Sequence, residues 1–454
     1  MHDTLSSQVS EWADLRPQVE EVLQRAVGQA LSHAAVPRGH RRGRPRVIEM
    51  AHVWLSLLMC VLTGMNSYQT LWRHLCCQRV GSFAPIQVTD DAVIKRLRQA
   101  GLAPLYDLFS QVSSFLADWL TPQVGTALAP FASRVVALDE MTWDAMQRHL
   151  LCQRTLPDGD VGLLPGKLAG RFDLRTQQWD WVQFRSDPQA NCKVAVCSLL
   201  EGLPEQSLVL FDLGYFSFPW FDYLTQMHYW FVCRLREKTT YQLAHTFYRS
   251  QGILDALVWL GSSHGARAGH LVRLVRFYDG QKVRCYLTNV LDPRQLSLPE
   301  VARLYARRWD SELAFLTLKR LLGLHHWWSS HPVLMQQQIL AVLIVAQVVQ
   351  ALRLHVAVQA GLDPFEVSLP LLIQVLPQLL LHRKAVSDWL LTYGRHLKLL
   401  RPSSRKTLVL PDLDLAQYTF PPPDLPLTRK ARYLEYAPRP HRSSSKTSPP
   451  TPPS

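Results

Sequence analysis

Four residues that can bind a metal ion or a phosphate recur at helical spacing late in the chain: Tyr305, Arg308, Glu312 and Lys319. At about 100° per residue, these intervals place the four side chains within roughly 60° of one another around one helix. A purely structural helix is expected to fill such a face with Leu and Val, yet the neighbouring apolar residues lie mostly to its sides. The stripe predicts a helix that faces a metal ion and a phosphate backbone together.

Two aspartates upstream follow short apolar runs that predict buried strands. Asp139 ends the run 135–138, and Asp212 ends the run 207–211. Acids that follow buried strands converge at one edge of a sheet. Carboxylates suit Mg²⁺, and two ions about 4 Å apart can activate the attacking oxygen and stabilise the leaving oxygen of a phosphoryl displacement. Asp139, Asp212 and Glu312 are therefore the candidate catalytic residues and metal ligands.

Each acid also has an ordinary structural explanation. An Asp after a strand commonly begins a loop, and a Glu on a helix is usually solvated; the order of the elements favours a shared site. Glu140 is predicted to point away from Asp139, because side chains alternate along a strand. Asp173 and Asp180 flank a turn and are predicted at the surface.

The elements that must position these acids predict an α/β domain with a mixed five-stranded sheet. The strands are predicted at 135–138, 167–174, 179–184, 207–211 and 229–235, with a helix at 189–200. A β-rich insertion follows at 237–292, with a hairpin at Asp279 and Gly280. A capping box at Ser297 begins one helix of about 25 residues that carries the stripe and ends near Gly323.

The flanking segments predict helices and a tail. We predict a helical DNA-binding region at 1–125, beginning with a helix near 12–31 and containing a possible helix-turn-helix variant whose second helix is capped by Thr89. The catalytic domain spans 130–236 and 293–325 around the insertion, and helices follow at 326–410. Residues 421–454 hold ten of the thirty prolines and predict a disordered basic tail.

The composition favours a folded protein with a polyanionic partner. The formal charge is +13, and residues 383–446 hold thirteen Lys or Arg against five Asp or Glu. Nucleic acid is the commonest such partner, although a generally basic, soluble surface is an alternative. Eight scattered cysteines indicate a reducing compartment. The apolar segments 50–63 and 339–352 are predicted to be buried helices that do not cross a membrane.

The pattern Y-x2-R-x3-E-x6-K, formed by Tyr305, Arg308, Glu312 and Lys319, resembles the signature of the DDE transposases of bacterial insertion sequences, in the insertion sequence 4 family. The resemblance extends to Asp139 in VVALDEMTWD, to Asp212 in LVLFDLGYF, and to the β-rich insertion. It covers about residues 130–325.

The resemblance implies a ribonuclease-H-like catalytic domain in which Asp139, Asp212 and Glu312 hold two Mg²⁺ ions, for which Mn²⁺ can substitute. It also implies that Tyr305, Arg308 and Lys319 contact phosphates near the transposon end. Trp309 is implied to stack on a flipped base, and core packing is its structural alternative. The sequence His325 to Trp328 is predicted to pack where the helix ends.

The implied function is cleavage of double-stranded DNA at terminal inverted repeats, followed by attack of the freed 3′-hydroxyl on target DNA. A cytoplasmic, nucleoid-associated homodimer on paired ends is expected, with no membrane partner. The alternatives are a catalytically inactive or domesticated DNA-binding descendant and a metal-dependent nuclease without strand transfer. The motif from Arg42 to Arg46 resembles an AT-hook core, although a flexible basic linker is the more ordinary explanation.

Overall fold

The computed structural model describes residues 48–80, 83–124, 128–143, 166–185, 197–381, 386–403 and 408–433. Three predicted features lie outside these residues: the first helix near 12–31, the basic motif 42–46, and most of the helix at 189–200.

One mixed sheet forms the centre of the molecule. Its strands occur in the order β3-β2-β1-β4-β5-β9-β8-β7-β6. Strands β1, β4 and β5 run parallel, whereas all other neighbours are antiparallel. The order and directions of β1 to β5 are those expected for a ribonuclease-H-like domain. The strands are β1 Val135–Thr142, β2 Lys167–Asp173, β3 Gln178–Arg185, β4 Leu208–Leu210, β5 Trp230–Arg234, β6 Tyr241–Ser250, β7 Ile253–Leu260, β8 Val272–Tyr278 and β9 Val283–Thr288.

The insertion extends this sheet and does not form a separate one. Strand β9 pairs with β5 from Val232 opposite Thr288 to Arg234 opposite Tyr286. The five predicted strands are present, but the sheet has nine, so the predicted five-stranded sheet is too small. Strand β6 was missed because two register shifts against β7 interrupt its alternation of polar and apolar residues.

Helices cover both faces of the sheet. The helices that precede β1 and those that follow β9 pack on one face of the sheet and form a single apolar core with it. Helix α5 packs on the opposite face. The helices are α1 Met50–Leu62, α2 Tyr68–Cys77, α3 Asp90–Ala100, α4 Ala103–Val124, α5 Phe218–Gln226, α6 Leu298–Arg307, α7 Trp309–Leu316, α8 Pro332–Ala360, α9 Leu369–Leu381 and α10 Val386–Tyr393.

Helix α8 is the central helix of the larger core. It is long and apolar enough to cross a membrane, but 94% of its most apolar 18-residue stretch is buried inside the protein. Its Gln347 accepts a hydrogen bond from the Trp179 backbone N–H at 2.9 Å and donates one to the Trp179 carbonyl at 2.6 Å. Gln347 thereby satisfies backbone groups of the edge strand β3. The prediction of a buried helix is confirmed.

The C-terminal strap, residues 408–433, packs along the insertion. The Arg429 guanidinium donates to the Ala268 carbonyl at 2.9 Å, and the Tyr433 hydroxyl donates to Asp222 at 2.7 Å. The predicted disorder is therefore wrong for 421–433, because backbone and side-chain hydrogen bonds to the insertion hold this proline-rich segment. Residues 434–454 lie outside the described part of the chain.

Asp173 and Asp180 are not surface residues. Asp173 is 3% exposed and pairs with Arg134 at 2.8 Å. Asp180 pairs with Arg171 at 2.8 Å and with Arg134 at 2.6 Å. The surface prediction is wrong because arginines from β2 and from the approach to β1 bury both carboxylates in one ion-pair cluster.

Candidate catalytic site

The parallel pairing of β1 and β4 brings Asp139 and Asp212 to the same edge of the sheet. Ala137 pairs with Leu210, and each aspartate lies two residues beyond that pair. Neighbouring strands lie about 4.8 Å apart, and residues two apart share a face. Because Ala137 and Leu210 belong to the core formed with the large helical layer, both aspartates belong to the face that α7 covers.

Asp139 is held by hydrogen bonds, and in the described part of the chain no cation forms an ion pair with it. Its carboxylate accepts from the Glu140 backbone N–H and from the Ser311 hydroxyl, both at 2.9 Å. Burial raises the pKa of Asp139 to about 6, and these hydrogen bonds and the Arg308 charge only partly offset that effect. The negative charge of Glu312 raises this pKa further, which shows that the two acids lie within electrostatic reach.

Ser311 links Asp139 to the helix. It is fully buried, and its Oγ lies 2.8 Å from the Arg308 carbonyl oxygen as well as 2.9 Å from Asp139. A hydroxyl has one proton, so Ser311 donates to one of these oxygens at a time. A protonated Asp139 would satisfy both bonds by donating to Ser311. Sequence reasoning missed Ser311, whose only signal is its place beside Glu312.

Asp212 lies exposed where β4 ends. It caps the 3-10 turn Leu213–Tyr215, accepting from the Gly214 backbone N–H at 2.8 Å. A Cβ on Gly214 would lie 2.9 Å from the Asp212 carboxylate, so this tight cap favours glycine. The cap fixes the aspartate at the strand end, as the sequence predicts.

The predicted single helix is irregular at two places. At Arg308, bonds from Arg308 N–H to Tyr305 and from Ser311 N–H to Arg308 span three residues and tighten the turn between α6 and α7. After α7, Thr317–Leu321 form a π-helical turn. A π turn contains more residues than an α turn, so Lys319 is displaced around the axis from the position that regular spacing predicts. The stripe is therefore less straight than predicted.

Arg308 is the centre of the stripe. It is 7% exposed, donates to Glu312 at 2.5 Å, and lies 5.8 Å from the Tyr305 ring and 5.7 Å from the Trp309 ring. Its Nε is buried without a hydrogen-bond partner among the described residues. The side chain is thus aligned by two aromatic rings and one carboxylate, with one donor unused.

The two aromatic residues of the stripe differ in exposure. Tyr305 is 5% exposed and its ring packs 4.9 Å from that of Tyr286, so most of it belongs to the core. Burial raises the pKa of the Tyr305 hydroxyl. Trp309 is 57% exposed, which contradicts core packing as its role. Farther along, Trp328 packs edge-on against Tyr68 at 5.5 Å, in agreement with the predicted packing where the helix ends.

The neighbouring acids belong to structural ion pairs. Glu140 pairs with Lys167 at 2.8 Å and with Arg185 at 3.0 Å, as expected for a residue that points away from the site. Asp310 is 1% exposed and pairs with Arg307 at 2.6 Å. Within the described ranges, no three His, Cys, Asp or Glu side chains lie close enough together to hold a metal ion.

Comparison with known proteins identifies the class of the domain. Residues 166–347 match the family model described as the transposase DDE domain. The match includes Asp212, Glu312 and the whole stripe, and it begins after Asp139. No curated protein matches the chain.

The solved structures that resemble the chain include one with low similarity. It is a cryo-EM structure of the piggyBac transposase synaptic complex with hairpin DNA, at 11% identity and a TM-score of 0.39, covering 85% of this chain and 84% of that one. A TM-score this low does not establish a common fold. The family match to the DDE domain, with both a strand-end Asp and the helical Glu inside it, supports a DDE transposase.

Proposed function

We propose that this protein is a transposase of the insertion sequence 4 type, with Asp139, Asp212 and Glu312 as its catalytic residues. It would cleave double-stranded DNA at terminal inverted repeats and join the freed 3′-hydroxyl to target DNA. The observation that carries the proposal is the parallel pairing of β1 and β4 with Ala137 opposite Leu210, since Asp139 and Asp212 each follow that pair by two residues, and the helix that carries Glu312 packs against β1.

The chemistry of the three acids fits divalent cations such as Mg²⁺ or Mn²⁺. All three offer carboxylate oxygens, and among the described residues no Lys or Arg forms an ion pair with the half-buried Asp139, so a bound cation would compensate its charge. When bound, two such ions would activate an attacking oxygen and stabilise the leaving one. Glu312 now pairs with Arg308, so metal binding would compete with that ion pair.

The remaining stripe residues would position DNA. The Arg308 fork, with its unused Nε, suits a phosphate, and Lys319 adds a point charge. The exposed Trp309 offers a surface on which an unpaired base can stack. The Tyr305 ring lies next to the Arg308 guanidinium. Because Tyr305 is only 5% exposed, little of its side chain can contact a phosphate. We further propose a cytoplasmic homodimer on paired DNA ends.

The test is cleavage of DNA that carries the element's own ends, using Asp139→Ala, Asp212→Ala and Glu312→Ala. Each variant should lose cleavage by at least about a thousandfold, since several kcal/mol of transition-state stabilisation is removed. Binding of the ends, measured by electrophoretic mobility shift, should change little.

A matched control is Glu205→Ala, because this exposed acid precedes β4 at the opposite edge of the sheet. It should cleave like the unmodified protein. Cleavage retained by any of the three acid variants would overturn the catalytic assignment. Loss of binding in all three, with intact folding, would point to a role in DNA binding and not in catalysis.

A further inference from the structure

A cavity of about 350 Å³ lies on the side of α7 opposite Glu312. Asp310, Ala314 and Thr317 line it from the helix, and helix α8 and the segment 365–370 close it. At about 100° per residue, these three positions lie roughly 140° to 160° around the axis from Glu312. The cavity, called the rear cavity, therefore lies mainly on the side of the helix away from Glu312, although Leu313 and Leu316, which are nearer to Glu312 around the axis, also line it.

Three arginines from three separate segments converge on the rear cavity: Arg320 after α7, Arg353 on α8, and Arg401 after α10. The one carboxylate that lines it, Asp310, already pairs with Arg307 and accepts from Gln177. No carboxylate of the described residues pairs with Arg320 or Arg401. Like charges that converge without a counter-ion repel one another, and an anion in the cavity would remove that cost.

Polar and aromatic groups in the cavity complete a phosphate-type site. Arg353 is 7% exposed, and its guanidinium lies 4.6 Å from the Phe365 ring. Ser368 is 5% exposed and lines the cavity, and its hydroxyl has no hydrogen-bond partner within the described part of the chain. Arg353 donates to the Val367 carbonyl at 3.2 Å and to Gln350 Oε1 at 3.4 Å, so it fixes the wall of the cavity, and the planar guanidinium groups of the exposed Arg320 and Arg401 match the oxygens of a phosphate.

The remaining lining is largely apolar, including Leu313, Leu316 and Leu321. The volume falls within the range of small-molecule sites, about 300 to 1,000 Å³, and exceeds what a phosphate alone occupies. We propose that the rear cavity binds a nucleotide, with the phosphate on the arginines and the base on the apolar wall. The nucleotide is either free or part of a DNA strand.

The test is calorimetric titration of the full-length protein with deoxyadenosine 5′-monophosphate, in a chelator and about 0.15 M salt, where loose surface attraction is screened. We expect saturable binding. Arg320→Gln and Arg401→Gln change exposed side chains, so both should fold; each should weaken binding about tenfold, and Arg401→Lys should weaken it less. Deoxyadenosine, which lacks the phosphate, should bind far more weakly.

The matched control is Arg395→Gln, an exposed arginine of the same region that does not line the cavity, and it should leave binding unchanged. A 5′-phosphorylated single-stranded oligonucleotide that displaces the nucleotide would indicate DNA as the source, and failure to displace it would indicate a free nucleotide. Absence of saturable binding, or equal binding in both glutamine variants, overturns the proposal. Asp139→Ala should bind normally, so this outcome is independent of the catalytic assignment.

Discussion

Two aspartates of the same sheet, the fully buried Asp255 on β7 and the half-buried Asp139 on β1, differ in how their charge is compensated. Asp255 and Arg273 are both fully buried and form a two-pronged ion pair at 2.7 and 2.6 Å. The Tyr418 hydroxyl lies 3.2 Å from Asp255, and the Leu296 carbonyl accepts from Arg273. Among the described residues, the Asp139 carboxylate accepts from one hydroxyl and one backbone N–H.

The difference separates a structural carboxylate from a functional one. Every polar group of the Asp255 pair is satisfied within the fold, so the pair can only stabilise the insertion. Asp139 has a pKa raised to about 6 by burial, and its charge remains incompletely compensated. Perturbed carboxylates of this kind are expected at functional sites, where a cation or substrate completes the compensation.

The largest expected effect on stability is at the structural pair. Arg273→Ala leaves Asp255 as a buried charge without its partner, and we expect the free energy of unfolding to fall by about 3 to 5 kcal/mol. Urea unfolding followed by circular dichroism measures the change. The double variant Asp255→Leu with Arg273→Met should be less damaged than Arg273→Ala. Equal damage in both would show that packing, and not the unpaired charge, is responsible.

A substitution at Asp139 is expected to change the free energy of unfolding in the opposite direction, by raising it. Asp139→Asn removes a charge that burial disfavours, so metal-free protein at pH 8 should gain on the order of 1 to 2 kcal/mol in unfolding free energy. The same variant should lose DNA cleavage. A loss of stability comparable to that of Arg273→Ala would mean that Asp139 is a structural acid like Asp255.

The pH dependence sharpens the same contrast. Because burial raises the pKa of Asp139 to about 6 from its ordinary value of 3.8, the folded state holds this proton more tightly than the unfolded state. The protonated Asp139 therefore contributes to the free energy of unfolding at low pH, and this contribution is lost as pH rises from about 4 through about 6. The difference in unfolding free energy between the metal-free protein and Asp139→Asn should follow this window. A difference that does not vary with pH would contradict the raised pKa.

The smallest expected effect is at Ser311. Ser311→Ala removes a hydrogen bond that lowers the pKa of Asp139, so that pKa should rise further, as measured by NMR titration of metal-free protein. Cleavage should fall about tenfold, in line with about 1 to 1.5 kcal/mol for one hydrogen bond to a carboxylate. Ser311→Thr keeps the hydroxyl, so its Asp139 pKa and its cleavage rate should both be close to those of the unmodified protein. An unchanged pKa would show that Ser311 serves only packing.

Local patterns sufficed for the elements that carry the acids. Buried strands of a parallel pair are continuous apolar runs, so the starts of both strands were predicted within one residue, but β1 continues to Thr142, so Asp139 lies inside the strand and not after it as predicted. Periodicity did not reveal β6, because bulges against β7 break its alternation. Composition also misjudged residues 421–433, whose hydrogen-bond partners lie more than 150 positions earlier in the chain.

The sequence by itself determined the residues on which the proposed chemistry rests: three carboxylates, the cations of the stripe, and the strands and helix that carry them. The tertiary structure alone decided which charged and polar side chains have a partner nearby and which are exposed. It paired Glu312 with Arg308, placed Ser311 against Asp139, exposed Trp309 and converged three arginines behind α7. The physical reason is that spacing defines the face of an element, whereas burial and charge pairing depend on distant segments that pack against that face.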